Sequence, residues 1–141
     1  TAHRLDKEMQ KKINGHAYIS VNKAVVTRAS AVIPTVPLYI GILFKIMKAK
    51  GLHEGCIEQM YRLLSDKLFN GGDIPLDSVN RIRLDDWELK KDVQEEVLNV
   101  WKILNQDNLK ELADMSMFRK DYMNMHGFEV EGIDYSKDVE I

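Results

Sequence analysis

The sequence predicts an α/β fold rich in helix. The apolar run Ala17–Val26 carries the β-branched residues Ile19, Val21, Val25 and Val26, broken only by Ser20, Asn22 and Lys23, which is the pattern of a buried strand. Thr27, Arg28 and Ser30 follow, placing two hydroxyls and a cation beyond the strand's carboxyl end, where open α/β sheets set their ligand crevice. Pro34 and Pro37 then suit a first helical turn, because proline's missing N–H would lack a partner there anyway, and Leu38, Ile42, Phe44, Ile46 and Met47 carry a helix on to Gly51. This order of strand, polar loop and helix is how an α/β protein presents a loop to a nucleotide.

The remaining elements are mostly helical. Leu5, Met9 and Ile13 lie four apart on one face of an opening helix that Asn14–Gly15 ends. Lys45, Lys48 and Lys50 complement the negative end of the helix that stops at Gly51. A third helix is expected from His53 to Phe69, burying Ile57, Met60, Leu64 and Leu68 and stopping at Gly71–Gly72. Asp73–Asn80, with Pro75, is expected to be an exposed loop. Asp85 is the expected N-cap of the next helix, with Glu88 completing a capping box. Leu89, Val93, Val97, Val100, Trp101 and Leu104 then trace one face. Short helices around Asn108–Ala113 and Met117–Met125 follow, closed by Gly127. In Phe128–Ile133, the residues Phe128, Val130 and Ile133 roughly alternate with Glu129 and Glu131, which predicts a second strand.

Helices between two strands would make them parallel, and parallel strands occur almost only inside larger sheets covered on both faces. Two strands cannot supply such a sheet, and the chain opens on Thr1 rather than methionine, so the expectation is a part of a larger parent. Twenty Lys and Arg against 22 Asp and Glu give a formal charge of -2, which leaves no electrostatic footprint for nucleic acid or an anionic membrane. The single cysteine, Cys56, excludes an internal disulfide and suits a reducing, cytoplasmic compartment. The longest apolar run, around Val36–Phe44, falls short of the roughly 20 residues a membrane span needs.

Several constellations favour structure over chemistry. His53 and Glu54 beside Cys56 lack the second half of any metal-ligand spacing, so no metal site is expected. Helix capping accounts for Asp85 better than a catalytic pairing with Asp86 does. Met115, Met117, Met123 and Met125 suit core filling. The eight glycines form no GxGxxG turn between strand and helix. Tyr39 and Lys48, nine positions apart on one regular helix, fall on opposite faces.

The segments Ser20–Pro34 (SVNKAVVTRASAVIP), His53–Leu63 (HEGCIEQMYRL), Arg83–Val97 (RLDDWELKKDVQEEV) and Gly127–Val139 (GFEVEGIDYSKDV) resemble consecutive blocks of the NADH-dependent trans-2-enoyl-CoA and enoyl-acyl-carrier-protein reductases. These are single-chain relatives of the short-chain dehydrogenases, and the likeness covers their final third. The resemblance implies the C-terminal part of a Rossmann-type parallel-sheet domain with an added helical region. Residues 1–51 would end the dinucleotide-binding core, 52–126 would form the helical region, and 127–141 the last strand and tail. It implies an oxidoreductase that reduces the trans-2 double bond of enoyl-CoA or enoyl-ACP with NADH in fatty acid synthesis. The family's glycine-rich turn and its catalytic Tyr and Lys lie upstream of this region, so no catalytic residue is assigned here and this chain alone is expected to be inactive.

By the same resemblance Val26, Thr27 and Ser30 would meet the cofactor, backbone to the nicotinamide carboxamide and hydroxyl to the pyrophosphate. Ile33, Tyr39 and Phe44, on a helix from Ile33 to Lys50, would line the acyl chain together with Phe118. The implied partners are the enoyl thioester and the N-terminal remainder of the same enzyme. No flavin-binding signature is visible, and FAD enters only through a family label. The alternative is a self-standing, non-catalytic helical interaction module.

Overall fold

The computed structural model describes residues 2–138. They divide into two compact units: one of residues up to Val25 with Gly51–Gln94, the other of Val26–Lys50 with residues from Glu95 onward.

In the first unit, α1 (Ala2–Ile13) ends at Asn14, whose φ of 50° turns the chain, with the Gly15 N–H closing back on the Met9 carbonyl. The strand expected over Ala17–Val26 shortens to β1 (Ile19–Val21). Its partner is β2 (Arg81–Arg83), aligned parallel with Ser20 opposite Ile82. The parallel direction agrees with expectation, whereas the partner does not. Phe128–Ile133 forms turns, with Glu129 at φ 55° and Gly132 at φ 83°. Left-handed backbone cannot continue a pleat. The Tyr135 hydroxyl, which donates to the Gly127 carbonyl and accepts from the Val130 N–H at 2.8 Å each, folds the segment onto itself.

The third helix departs from expectation in shape and in face. It consists of α4 (Cys56–Arg62) and a π-helical stretch, Leu63–Leu68. Gln59 and Arg62 are its buried residues, while Ile57, Met60, Tyr61 and Leu64 are exposed. Arg62 is the reason. Its guanidinium forks onto Glu54 at 2.8 and 2.7 Å, reaches Asp86 at 2.8 Å and the Leu84 carbonyl at 2.6 Å, and lies 4.3 Å from the centre of a Trp87 ring. Burial works against the charges, yet the bonds to Glu54 and Asp86 raise the Arg62 pKa; the contacts of Arg62 and Lys67 hold Asp86 below the ordinary carboxylate range despite its own desolvation. Beside this cluster, Ile82, Leu84 and Val93 are the buried apolar side chains among the described residues of the unit.

Asp85 is not the N-cap of the long helix. Its carboxylate accepts from the Arg83 Nε at 2.7 Å, Asp85–Leu89 is a turn, and α5 runs over Lys91–Ile103. Because β2 is drawn into the sheet, the Leu84 and Asp85 N–H groups both donate to the Val21 carbonyl, and the helix starts later than its apolar repeat suggests.

The second unit is built on α3 (Val36–Ala49), which buries Ile40, Ile42, Leu43, Phe44, Ile46 and Met47. Apolar residues on nearly every side mark an interior helix. It packs against α2 (Arg28–Val32) and α7 (Met115–Met125), with the short α6 (Leu109–Leu112) preceding α7. Gly41 permits a close crossing: its carbonyl accepts from the Asp114 N–H at 3.0 Å, and an added Cβ would meet the Met115 sulfur at 3.0 Å. Lys48 pairs with Asp114 at 3.4 Å, and the Lys45 Nζ donates to the Glu111 carbonyl.

Candidate functional site

The Ile33–Lys50 helix of the sequence reading begins three residues later, at Val36, and a separate short helix precedes it. α2 ends at Val32, Pro34 sits in the break, and Thr35 takes φ 70° before α3 begins with Pro37 at its second position. Proline disfavours helical geometry in the residue before it, here Ile33, which adopts extended backbone.

The polar loop is therefore the entry to a short helix. Thr27 is the N-cap of α2, extended at φ -135°, and its Oγ accepts from the Ser30 N–H at 3.1 Å. Ser30 answers, its Oγ accepting from the Thr27 N–H and donating to the Thr27 carbonyl at 2.7 Å each. The reciprocal pair satisfies donors that a helix start leaves open, a cap worth about 1 kcal/mol.

The two hydroxyls are thereby made unequal. Ser30 is buried with its hydroxyl proton donated to the Thr27 carbonyl, whereas Thr27 is exposed and its hydroxyl proton has no acceptor among the described residues. Arg28, next in the chain, is exposed, and no carboxylate pairs with it among the described residues. Thr27 and Arg28 offer a hydroxyl donor and a cation to an anionic ligand. Val26 is half-buried one residue before them.

The proposed acyl-lining residues divide between surface and interior. Ile33 is half exposed in the break and Tyr39 is half-buried on the first turns of α3. Phe44 and Phe118 are buried in α3 and α7, the helices that pack together in this unit. Tyr39 and Lys48 both lie on α3, nine positions apart. No group of His, Cys, Asp and Glu able to hold a metal occurs among the described residues, and Cys56 is a free, exposed thiol. No helix among them is long and apolar enough to cross a membrane.

The sequence reading had no sign of what fixes the residues ahead of this loop. Gln59 Oε1 accepts from the Lys23 N–H at 2.8 Å, and Glu88 Oε2 from the Ala24 N–H at 2.7 Å. Gln59 stood among apolar neighbours credited with the buried face, and Glu88 in an apparent capping box. The one available signal was a glutamine four positions from neither Ile57 nor Met60 yet three before Arg62, a polar stripe of its own on α4.

Comparison with known proteins places the chain. Residues 1–69 match the family model described as the trans-2-enoyl-CoA reductase catalytic region, and residues 76–139 match that of the enoyl reductase FAD binding domain. The NADH-dependent trans-2-enoyl-CoA reductase of Brachyspira hyodysenteriae is 78% identical over the whole chain, which spans 36% of that protein. An NADH-dependent enoyl-[acyl-carrier-protein] reductase of Coxiella burnetii is 51% identical over the whole chain and 35% of its own length. Among solved structures, the trans-2-enoyl-CoA reductase of Clostridium acetobutulicum in complex with NAD superposes with a TM-score of 0.91 at 47% identity, over 99% of this chain and 36% of that one. That of Treponema denticola, also with NAD, gives 0.85 over 96% and 35%. Matched along nearly all its length by these two models and by such relatives, the chain belongs to the trans-2-enoyl-CoA reductase family and spans about a third of the length of those members.

Proposed function

We propose that this chain is the C-terminal third of an NADH-dependent reductase that saturates the trans-2 double bond of enoyl thioesters, on coenzyme A or acyl carrier protein, in cytoplasmic fatty acid synthesis. The observation that carries the reading is the end-to-end likeness to NADH-dependent enoyl reductases, with Thr27 and Arg28 exposed at the start of α2. Residues 1–51 then end the dinucleotide-binding core and 52–126 form the added helical region.

NADH, when bound, supplies hydride for the β-carbon of the thioester. The residues of the loop fit such a cofactor: the Thr27 hydroxyl would donate to a phosphate oxygen while its lone pair caps α2, and Arg28 would neutralise charge beside it. Ser30 acts through the cap, holding Thr27 in place, and Val26 offers backbone. Ile33 and Tyr39 have surface to give an acyl chain; Phe44 and Phe118 are buried on α3 and α7, which pack together. Proton donation and pyrophosphate cradling belong to the N-terminal remainder.

A flavin fits less well. Between residues 76 and 138, Arg81, Arg83 and Arg119 are engaged by Asp77, Asp85 and Glu129, and no glycine-rich phosphate turn occurs, so no step is assigned to FAD.

The exposed apolar residues Ile57, Tyr61 and Leu64 on α4 and the π-helical stretch, Phe69 just after it, and Leu5 and Ile13 on α1 suit a piece that packs against more protein. They are the reason to prefer a segment of a reductase over a self-standing interaction module. The test is crotonyl-CoA-dependent oxidation of NADH. A full-length reductase carrying this segment is expected to be active and the 141-residue chain inactive. An inactive full-length protein contradicts the activity, and turnover by the chain alone contradicts its reading as a part.

A further inference from the structure

We propose that Gln59 and Glu88 are positioning residues for the cofactor loop, acting through the backbone of Lys23 and Ala24. The inference rests on the reading of Val26–Ser30 as that loop.

The chain leaves the sheet at Val21 and reaches Val26 after four residues, with no regular structure to define their path. Loop backbone in that situation is set by whatever satisfies its N–H groups. Two successive groups are satisfied here by side chains distant in sequence: the Lys23 N–H donates to Gln59 Oε1 on α4, and the Ala24 N–H donates to Glu88 Oε2 in the turn after β2. The Lys23 Nζ donates to the Ala24 carbonyl at 2.8 Å. Gln59 and Lys23 are each 1% exposed and Glu88 is 8% exposed, so water does not compete for these bonds.

Both anchors are themselves held. Glu88 is fixed by its backbone, whose carbonyl accepts from the Gln94 Nε2 at 2.8 Å. Gln59 sits one turn before Arg62, whose fork onto Glu54 pins α4. Gln59 also keeps a cost that packing alone would remove: its Nε2 is buried without a partner among the described residues. A leucine or methionine there would fill the space with no orphaned donor, so the glutamine is explained by the oxygen it gives to Lys23. Charge strengthens the second contact, as a carboxylate receiving a backbone N–H makes a shorter, firmer bond than a neutral acceptor.

The consequence is specific to geometry. Removing either acceptor frees the backbone two or three residues before Val26, so the loop samples more positions and its contacts to the cofactor weaken. A small displacement suffices, since hydrogen bonds fade steeply as distance and angle depart from their optimum.

The experiment uses a full-length reductase carrying this segment, with NADH and crotonyl-CoA varied separately. Gln59→Met, which keeps length and removes the oxygen, is expected to raise the KM for NADH by about fivefold to tenfold, a range matching the loss of one modest hydrogen bond. Gln59→Glu, which restores an accepting oxygen, is expected to return most of that loss. Glu88→Met is the parallel variant, with Glu88→Gln as its conservative partner, and decides the matter alone if Gln59→Met does not fold. A lower melting temperature with an unchanged KM for NADH in either Met variant overturns the positioning role and leaves a packing role. An unsubstituted enzyme that does not oxidise NADH with crotonyl-CoA overturns the functional reading and the positioning role with it.

Discussion

The interiors of the two units of this chain have opposite chemistry. In the second, the interior is aliphatic and aromatic, from Ile40 through Met47 on α3 to Val97, Ala113 and Phe118, with Ser30 its buried polar residue. In the first, Ile82, Leu84 and Val93 are outnumbered inside by Lys23, Glu54, Gln59, Arg62, Asp85 and Glu88. An apolar interior needs the right volume, whereas a polar one needs every partner in place, since removing one leaves the other charged and buried. In the polar unit two such bonds fall on the backbone of Lys23 and Ala24.

The comparison is broken most severely at Arg62. Arg62→Met strands Glu54, 6% exposed at its side chain, and is expected to cost about 3–5 kcal/mol in urea unfolding. Arg62→Lys should recover only part of this, because an ammonium cannot reproduce a fork shared by Glu54, Asp86 and the Leu84 carbonyl. A loss below about 1 kcal/mol for Arg62→Met would show the polar interior to be replaceable.

Acid is expected to have the next largest effect. Despite some desolvation, hydrogen bonds from the Arg81 and Val79 N–H groups and the Arg81 side chain hold Asp77 down to about 2 from 3.8, and Asp86 is also lowered. Their folded pKa values lie below the unfolded ones, so the stability they add is complete above about pH 4 and is lost as pH falls through the folded values. The urea midpoint is expected to drop as pH falls from about 4 to about 2, and Asp77→Asn, already without the charge, should show a smaller drop. Equal drops would remove Asp77 from the account.

Within the apolar unit the effects shrink. Met47→Leu, at a fully buried site on α3, is expected to cost less than about 1.5 kcal/mol, as volume-conserving exchanges do. Gly41→Ala sets the tight approach to the Met115 sulfur against a helix-propensity gain of about 1 kcal/mol, and the flexible methionine can yield. The expected net change is within about 1 kcal/mol of zero by the same unfolding measurement.

This contrast also explains what could be read from the sequence. In the apolar unit α3 was legible, stopping at Ala49 just before Gly51, φ 66°, as its pattern and lysines indicate. The polar loop was legible as a candidate site, although not that Thr27 and Ser30 cap each other. In the polar unit periodicity misleads. Ile57, Met60 and Leu64 carry the apolar repeat, yet Gln59 and Arg62 go inside because their partners Lys23, Glu54 and Asp86 come from other segments. β2 was invisible because Arg81 and Arg83 flank a single apolar residue and are steadied by Asp77 and Asp85. Phe128–Ile133 has a strand's alternation, but the Arg119 fork onto Glu129 at 2.8 and 2.7 Å accompanies a left-handed turn there.

The central claim is that Thr27 faces the cofactor while it caps α2, and the cap dictates which variant tests it. Thr27→Val is unsuitable alone, because it removes the cap, worth about 1 kcal/mol, together with the hydroxyl. Aspartate caps as well as threonine but sets a negative charge where a phosphate would lie. In a full-length reductase carrying this segment, Thr27→Asp is expected to keep the melting temperature and raise the KM for NADH at least about tenfold, roughly 1.4 kcal/mol, with Thr27→Ser close to the unsubstituted enzyme. An unchanged KM for NADH in Thr27→Asp would contradict the account and leave Thr27 as a helix cap only.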